Sequence, residues 1–294
     1  MEKKYLTILF AVFAAGTLAV IPMRIAELFF AIDSSGFYIS GNKIVPFLDV
    51  FLIIFTLALL SPFFVPRVQN AVAWREGSKV SGVIALLLGL EFCVEIVLRF
   101  SVLFGYGQPL NAGATYKESA GSFVIAVAAL LTAVYFLMLA FRHLTGRQIG
   151  LGGASLFPVI WGVVILTVSF MQYTTIANIS ELLFDVLRMV FVLIFFYYNA
   201  RVTGGVPSGR EYRGLVAFGM PAALFCVVST LPRLIAHMIN SSHGEIYDYF
   251  DVFSILLGLT LAAYIIDLLA EGIFRRRAYA LPPAEGNAQT DESR

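Results

Sequence analysis

Charged side chains are scarce in this chain, and long apolar runs occupy most of its length. Aspartate, glutamate, lysine and arginine make up 13% of the 294 residues, whereas about 25% is usual in soluble domains. Hydrophobic residues make up 59% of the chain. Apolar stretches of about 20 residues, the length that crosses a bilayer as a helix, recur from end to end. This composition excludes an ordinary soluble domain and predicts an all-α integral membrane protein.

Groups that bind metals or catalyse reactions are also few. Cys93 and Cys226 both fall within apolar segments, which argues against a structural disulfide or a zinc site. The chain has no phosphate-binding loop, zinc-protease or serine-hydrolase motif. Two histidines and two acids share segment 237–248, but their spacing matches no metal motif. We therefore predict no cofactor, metal or catalytic residue. The net charge of +1 argues against a nucleic-acid partner.

The apolar pattern predicts an eight-helix transmembrane bundle. The helices lie near residues 5–23, 47–64, 80–103, 123–141, 155–171, 182–198, 215–235 and 252–269. Together they form a polytopic domain over residues 1–280, surrounded by the lipid bilayer. Residues 1–23 also resemble a signal peptide, but their apolar stretch is long for one, which favours a retained helix. Residues 281–294 are polar and contain proline and glycine, which predicts a disordered cytoplasmic tail.

Lysine and arginine are distributed unequally between the two sides of the predicted bundle. Fourteen of the twenty lie on one side, and cytoplasmic loops are the ones enriched in these residues. We therefore expect both termini in the cytoplasm and the chain in the plasma membrane. The fourteen are Lys3, Lys4, Arg67, Arg75, Lys79, Arg142, Arg147, Arg201, Arg210, Arg213, Arg275, Arg276, Arg277 and Arg294.

Short strings recur along the chain and predict four parallel helical-hairpin repeats. Odd helices end in IPMRIAELF, IVLRFSVLF and TLPRLIAHM, each with its arginine 20 residues after a basic residue: Arg24, Arg99 and Arg233. Even helices open with FLDVF, LFDVL and YFDVF, which carry Asp49, Asp185 and Asp251. The fourth helix lacks the acid, and Gln172 replaces the arginine in the fifth. The alternative is convergence, because acids at helix N-termini complement the helix dipole without any duplication.

Three charged residues lie on one face of the third predicted helix. Glu91, Glu95 and Arg99 follow each other at intervals of four residues, which places them on one stripe of an α-helix. At ~1.5 Å per residue, Glu91 lies ~18 Å beyond Lys79, near the middle of a ~30 Å hydrocarbon layer. An ionisable group at that depth costs at least ~2.5 kcal/mol and marks a candidate functional site. A protonatable acid there suits proton coupling or binding of a cationic group.

A second acid–acid–base stripe occupies the sixth predicted helix and consists of Glu181, Asp185 and Arg188. Arg188 lies ~20 Å from the inner end of that helix, at a depth similar to that of Glu91. Depth matching then predicts that Arg188 pairs with Glu91 or Glu95, and that Asp185 pairs with Arg99. These charges either line a polar cavity open to the outside or only neutralise each other and fix helix register.

These patterns favour a transporter, or its membrane subunit, for a small molecule or ion. Its predicted ligand or proton site consists of Glu91, Glu95, Arg99, Asp185 and Arg188. Its predicted outer rim consists of Arg24, Asp49, Arg233 and Asp251. The alternative is a membrane-embedded sensor or accessory protein whose buried charges are structural and which acts through a membrane partner protein. An enzyme is the least favoured class, because the paired carboxylates lack a nucleophile or a metal-binding pattern around them.

Overall fold

The described part of the chain is built from helices alone. A computed structural model of the protein describes residues 2–31, 39, 41–65, 78–104, 116–147, 150–173, 180–204, 211–239 and 249–274. Eight helices in these ranges are long and apolar enough to cross a membrane. This confirms the predicted all-α class and the predicted number of helices. The predicted tail at 281–294 lies outside the described residues.

The helices run beyond the apolar windows that predicted them. Their bounds are α1 (Glu2–Phe30), α2 (Ile44–Leu59), α3 (Ser61–Phe64), α4 (Lys79–Leu103), α5 (Tyr116–Thr145), α6 (Phe157–Tyr173), α7 (Ser180–Thr203), α8 (Glu211–Met238) and α9 (Tyr249–Phe274). Short α3 continues α2 as one span after a break at Leu60, and a 3₁₀ turn at Ala154–Leu156 leads into α6. Hydropathy detects only the apolar part of a helix, whereas backbone hydrogen bonding continues through its polar ends.

Helices α4 to α9 form a closed six-helix ring. Each packs against the next along the chain, and α9 packs against α4. Helices α1, α2 and α3 lie outside this ring against α8. Consequently α4 and α7 stand opposite each other across the ring. The two helices of each predicted hairpin also pack together, although this packing does not test whether the hairpins arose by duplication.

Aromatic side chains fill the centre of the ring. This aromatic cluster contains a member from each of five ring helices: Phe92, Phe136, Trp161, Phe196 and Tyr264. The Phe136 ring stacks on Phe92 at 5.6 Å and meets Tyr264 edge-on at 5.4 Å. Aromatic pairs at such distances add about 0.5–1.5 kcal/mol beyond the area that they bury. The cluster therefore ties the ring helices to a common centre.

Basic and acidic side chains of several helices meet at one end of the bundle. This end, called here the charged end, holds the last turns of α1, α4 and α8 and the first turns of α7 and α9. There the guanidinium of Arg24 on α1 lies 4.0 Å from the ring centre of Phe184 on α7. Arg188 on α7 reaches Ser229 on α8 and Ser254 on α9. These contacts bring charged residues of separate helices to one end of the bundle.

Replacing Phe136 by alanine tests the aromatic cluster. Phe136 is fully buried, and removing a buried phenylalanine ring typically costs about 3–5 kcal/mol. We expect a loss of that size in the free energy of unfolding, measured by reversible denaturation in mixed micelles. Phe64→Ala is the matched control, because the Phe64 side chain is 78% exposed. Equal losses for the two variants would contradict a central role for the cluster.

Candidate functional site

The residues of the predicted site fall into two groups on opposite sides of the ring. Glu91, Glu95 and Arg99 belong to α4, whereas Asp185 and Arg188 belong to α7. The aromatic cluster stands between these two helices. The structure therefore does not gather the five residues around one ligand.

The predicted ion pairs between these helices are wrong. Arg188 pairs with Asp185 on its own helix, with 3.2 Å between Nη2 and Oδ1. Glu95 pairs with Arg99, also on its own helix, with 3.6 Å between Oε1 and Nη2. Glu91 forms a hydrogen bond with the hydroxyl of Thr260 instead of pairing with Arg188. The reason is geometric: matched depth gives the height of a charge in the bundle but not the direction in which it faces.

Arg188 is buried where α7, α8 and α9 meet. Its Nη2 lies 3.1 Å from Ser254 Oγ on α9, and its Nη1 lies 3.4 Å from Ser229 Oγ on α8. A buried guanidinium needs such partners, since an isolated charge in a low-dielectric interior is costly. The two serines and Asp185 together compensate the burial of this one cation.

Gly258 makes room for that arginine. A Cβ at this position would stand 3.0 Å from Arg188 Nη1 and would overlap the methyl group of Thr230. Because glycine has no side chain, α9 can approach the guanidinium closely. Gly258 is therefore a part of the Arg188 environment that a search for charged residues does not find.

A cleft lies between α1, α7 and α8 at the charged end. Its cavity volume is about 10 Å³, close to the space that one water molecule needs. Its polar lining consists of Arg24, Arg233, Asp185 and Ser229. The remainder of its lining is apolar and consists of Leu28, Phe184, Val228 and Pro232. This charged cleft brings two residues of the predicted outer rim, Arg24 and Arg233, next to one residue of the predicted site, Asp185.

Arg24 is held firmly in the wall of the cleft. It forms a buried ion pair with Glu27, with 2.5 Å between Nη1 and Oε2, and it covers the face of the Phe184 ring. Asp49 on α2 lies within its electrostatic reach but does not line the cleft. The side chain of Asp251, the fourth predicted rim residue, lies outside the described residues.

Glu95 has a partner that the sequence did not indicate. Trp161 on α6 donates its indole N–H to Glu95 Oε2 across 3.1 Å, while Arg99 faces the other carboxylate oxygen. The Trp161 ring also meets Phe92 edge-on in the aromatic cluster. Glu95 is nearly inaccessible. Its carboxylate thus joins the aromatic cluster to the charged end.

For Glu91, Glu95 and Arg188, the contacts with other helices are made by hydroxyls and an indole rather than by opposite charges. Ser229, Ser254, Thr260 and Trp161 each contact an ionisable side chain on another helix. Their presence within apolar helices is a signal that the sequence does contain. Assigning each to its partner requires the order of helices around the ring, which no single-helix pattern provides.

Comparison with known proteins gives no family for this chain. It matches no protein-family model, no curated protein and no solved structure. The charged cleft and the contacts of the ionisable residues are consequently the features from which a function can be proposed.

A double-mutant cycle tests the bond between Trp161 and Glu95. We expect Trp161→Phe to lower the free energy of unfolding by about 1–3 kcal/mol beyond its packing loss, because a buried carboxylate oxygen loses its donor. In a Glu95→Leu background that extra loss should disappear, since no acceptor remains; the packing loss cancels in the cycle. Glu91→Gln is the matched background, in which Trp161→Phe should cost as much as in the wild type. An equal cost in all three backgrounds would argue against the bond.

Proposed function

We propose that this chain is an integral membrane protein whose eight spans cross the plasma membrane and whose termini both lie in the cytoplasm. The eight long apolar helices support insertion, and the bias of lysine and arginine toward one side supports this orientation. In this orientation the charged end faces outward. The charged cleft is then accessible from the outer solution.

We further propose that the bundle consists of four repeated hairpins in parallel orientation. Support comes from the matched strings in the sequence and from the packing of each hairpin's two helices. Arg24 and Arg233 occupy matched places in two of these hairpins and line the same cleft. Duplication would account for the presence of two arginines in the lining of one cleft.

The activity that we propose is transport of a small polar solute through binding in the charged cleft. The observation that carries this proposal is the convergence of Arg24, Arg233, Asp185 and Ser229 on one open cleft. Arg24 stands six residues before the end of α1, so it lies about 9 Å below that helix end. A solute bound there would lie part of the way into the membrane, and the cleft, with a cavity volume of about 10 Å³, would have to widen to admit it.

The lining of the cleft favours a solute with an anionic group. Guanidinium groups only donate hydrogen bonds and match carboxylate or phosphate oxygens in geometry. Ser229 adds a hydroxyl that both donates and accepts. Asp185 contributes an acceptor, which suits a donor elsewhere on the same solute. Small carboxylates, amino acids and inorganic phosphate are therefore the first candidates.

A second function, that of a membrane-embedded sensor or accessory protein, is favoured by how the charges are compensated. Arg24 pairs with Glu27, Arg188 with Asp185, and Glu95 with Arg99, each within a single helix. The aromatic cluster also fills the centre of the ring. In this function the cleft would bind a solute or a membrane partner without moving anything across.

Reporter fusions test the proposed orientation. A C-terminal green fluorescent protein should fluoresce in a bacterial host, and alkaline phosphatase at the same position should stay inactive, because both report a cytoplasmic terminus. The control fusion is made in the segment between α1 and α2, where the activities of the two reporters should reverse. Phosphatase activity at the C-terminus would show the opposite orientation, in which the cleft does not face the outer solution.

Ligand binding and flux test the proposed activity. The purified chain is tested for binding of small carboxylates, amino acids, inorganic phosphate and simple amines, and each binder is then tested for uptake into proteoliposomes. We expect saturable binding of an anionic solute that weakens at least about tenfold in Arg233→Gln, the size expected when a charged hydrogen bond worth about 1.5–3 kcal/mol is lost. Saturable uptake supports transport, whereas binding without uptake supports the sensor.

Arg147→Gln is the matched control for that experiment. Arg147 is an exposed arginine at the end of the bundle opposite the cleft, so its loss changes net charge equally without touching the site. Binding should be unaffected in this variant. Equal weakening in both variants would show a general effect of charge. Saturable binding that Arg233→Gln leaves unchanged would place the site elsewhere.

A further inference from the structure

Glu91 and Thr260 form the contact at mid-height of the packing between α4 and α9. Thr260 Oγ1 lies 2.5 Å from Glu91 Oε1 and 2.6 Å from the carbonyl oxygen of Leu256. Glu91 is twelve residues from either end of α4, which places it about 18 Å from each end. This acid therefore lies as far from both ends of its span as the helix allows.

Counting the available hydrogens shows which atom donates and which atom accepts in each short contact of Thr260. A threonine hydroxyl carries one hydrogen, and both a carbonyl oxygen and an ionised carboxylate require it. With Glu91 ionised, one of the two short contacts would be acceptor against acceptor. With Glu91 protonated, its O–H donates to Thr260 Oγ1, and the Thr260 O–H donates to the Leu256 carbonyl. Only the protonated form gives each of the two short contacts a hydrogen of its own.

The second oxygen of Glu91 agrees with that assignment. Oε2 is inaccessible and has no hydrogen-bond partner in the described part of the chain. A charged carboxylate oxygen without a partner is much costlier in a low-dielectric surrounding than the carbonyl oxygen of a neutral acid. The geometry of both oxygens therefore favours the neutral carboxylic acid.

Nearby ionisable groups on the helices that pack around Glu91 contact other residues. On α4, Glu95 faces Arg99 and Trp161. On α9, Tyr264 lies in the aromatic cluster, and Asp267 accepts a hydrogen bond from Ser81. On α5, which also packs against α4, Tyr135 receives a hydrogen bond from Asn199. Glu91 thus has no cationic partner among the described residues.

We infer that Glu91 is a proton-binding site and that it carries its proton in this conformation. The protonated acid donates a hydrogen bond to Thr260 across the contact between α4 and α9. The side chain is half-buried at the outer face of α4, beside the exposed apolar side chains of Leu87, Leu90 and Val94. Loss of the proton would leave one hydrogen for the two short contacts of Thr260 and would place a charge at mid-span. This inference depends neither on the charged cleft nor on transport.

Labelling with dicyclohexylcarbodiimide tests this proposal. This hydrophobic reagent enters the lipid phase and reacts with neutral carboxylic acids. We expect peptide mass spectrometry of the wild-type chain in proteoliposomes to find the label on Glu91 and not on Glu95 of the same molecules. Because the reaction follows the protonated fraction, labelling should fall by about tenfold for each pH unit above the titration midpoint. Absence of label on Glu91 at every pH would overturn the proposal.

Infrared spectroscopy gives a second readout that labelling efficiency does not affect. The wild type should show the carbonyl stretching band of a protonated acid that is absent in Glu91→Gln. Thr260→Val keeps the shape of the side chain but removes its hydroxyl, so the band should persist at a shifted position. Absence of a band that depends on Glu91 would show an ionised carboxylate and contradict the inference.

A sodium series separates a proton site from a cation site. Carboxylate, hydroxyl and carbonyl oxygens are also ligands for hard cations. At fixed pH, labelling of Glu91 should be the same in sodium chloride and in choline chloride. Protection by sodium alone would assign the site to a metal cation and overturn the proton assignment.

Discussion

The packing of α9 against α4 closes the six-helix ring and brings Glu91 and Asp267 to their hydroxyl partners across that contact. Among the described residues, two hydrogen bonds cross this contact, one between Thr260 and Glu91 at mid-height and one from Ser81 to Asp267 nearer the other end. Bonds of this kind between membrane helices contribute only about 0.6–2 kcal/mol each. They help to set the register, while the aromatic cluster packs at the centre of the ring between α4 and α7.

The buried ionisable side chains of the bundle have two kinds of partner. Arg188, Glu95 and Arg24 each find an opposite charge three or four residues away on the same helix, and polar or aromatic side chains on other helices complete their surroundings. Local pairing of this kind survives small shifts between helices, because both partners move together. Glu91 has no such neighbour and depends on a hydroxyl of another helix. The charge state of Glu91 is therefore the one most sensitive to how α4 and α9 pack.

The sequence predicts much of the fold and only part of the site, for a physical reason. Apolar length predicts the number of helices that could cross a membrane, because each such helix must match the same hydrocarbon thickness. Spacing along a helix correctly placed Glu95 and Arg99 on one stripe. Neither signal reports which helices are neighbours, so the expected pairing of Glu91 or Glu95 with Arg188 failed. The meeting of Arg24 and Arg233 in one cleft likewise depends on α1 packing against α8.

Helix α9 connects the two polar regions that the ring keeps apart. Gly258 lies against the guanidinium of Arg188, and Thr260, two residues later, holds Glu91. At ~100° per residue these two positions face directions ~200° apart, so they contact opposite neighbours of α9. A rotation or tilt of α9 that lengthens the Thr260 contact must also change the space that Gly258 leaves for Arg188. Arg188 pairs with Asp185 in the cleft wall. Helix α9 therefore contacts both the proposed proton site at mid-span and the arginine that pairs with a residue of the charged cleft.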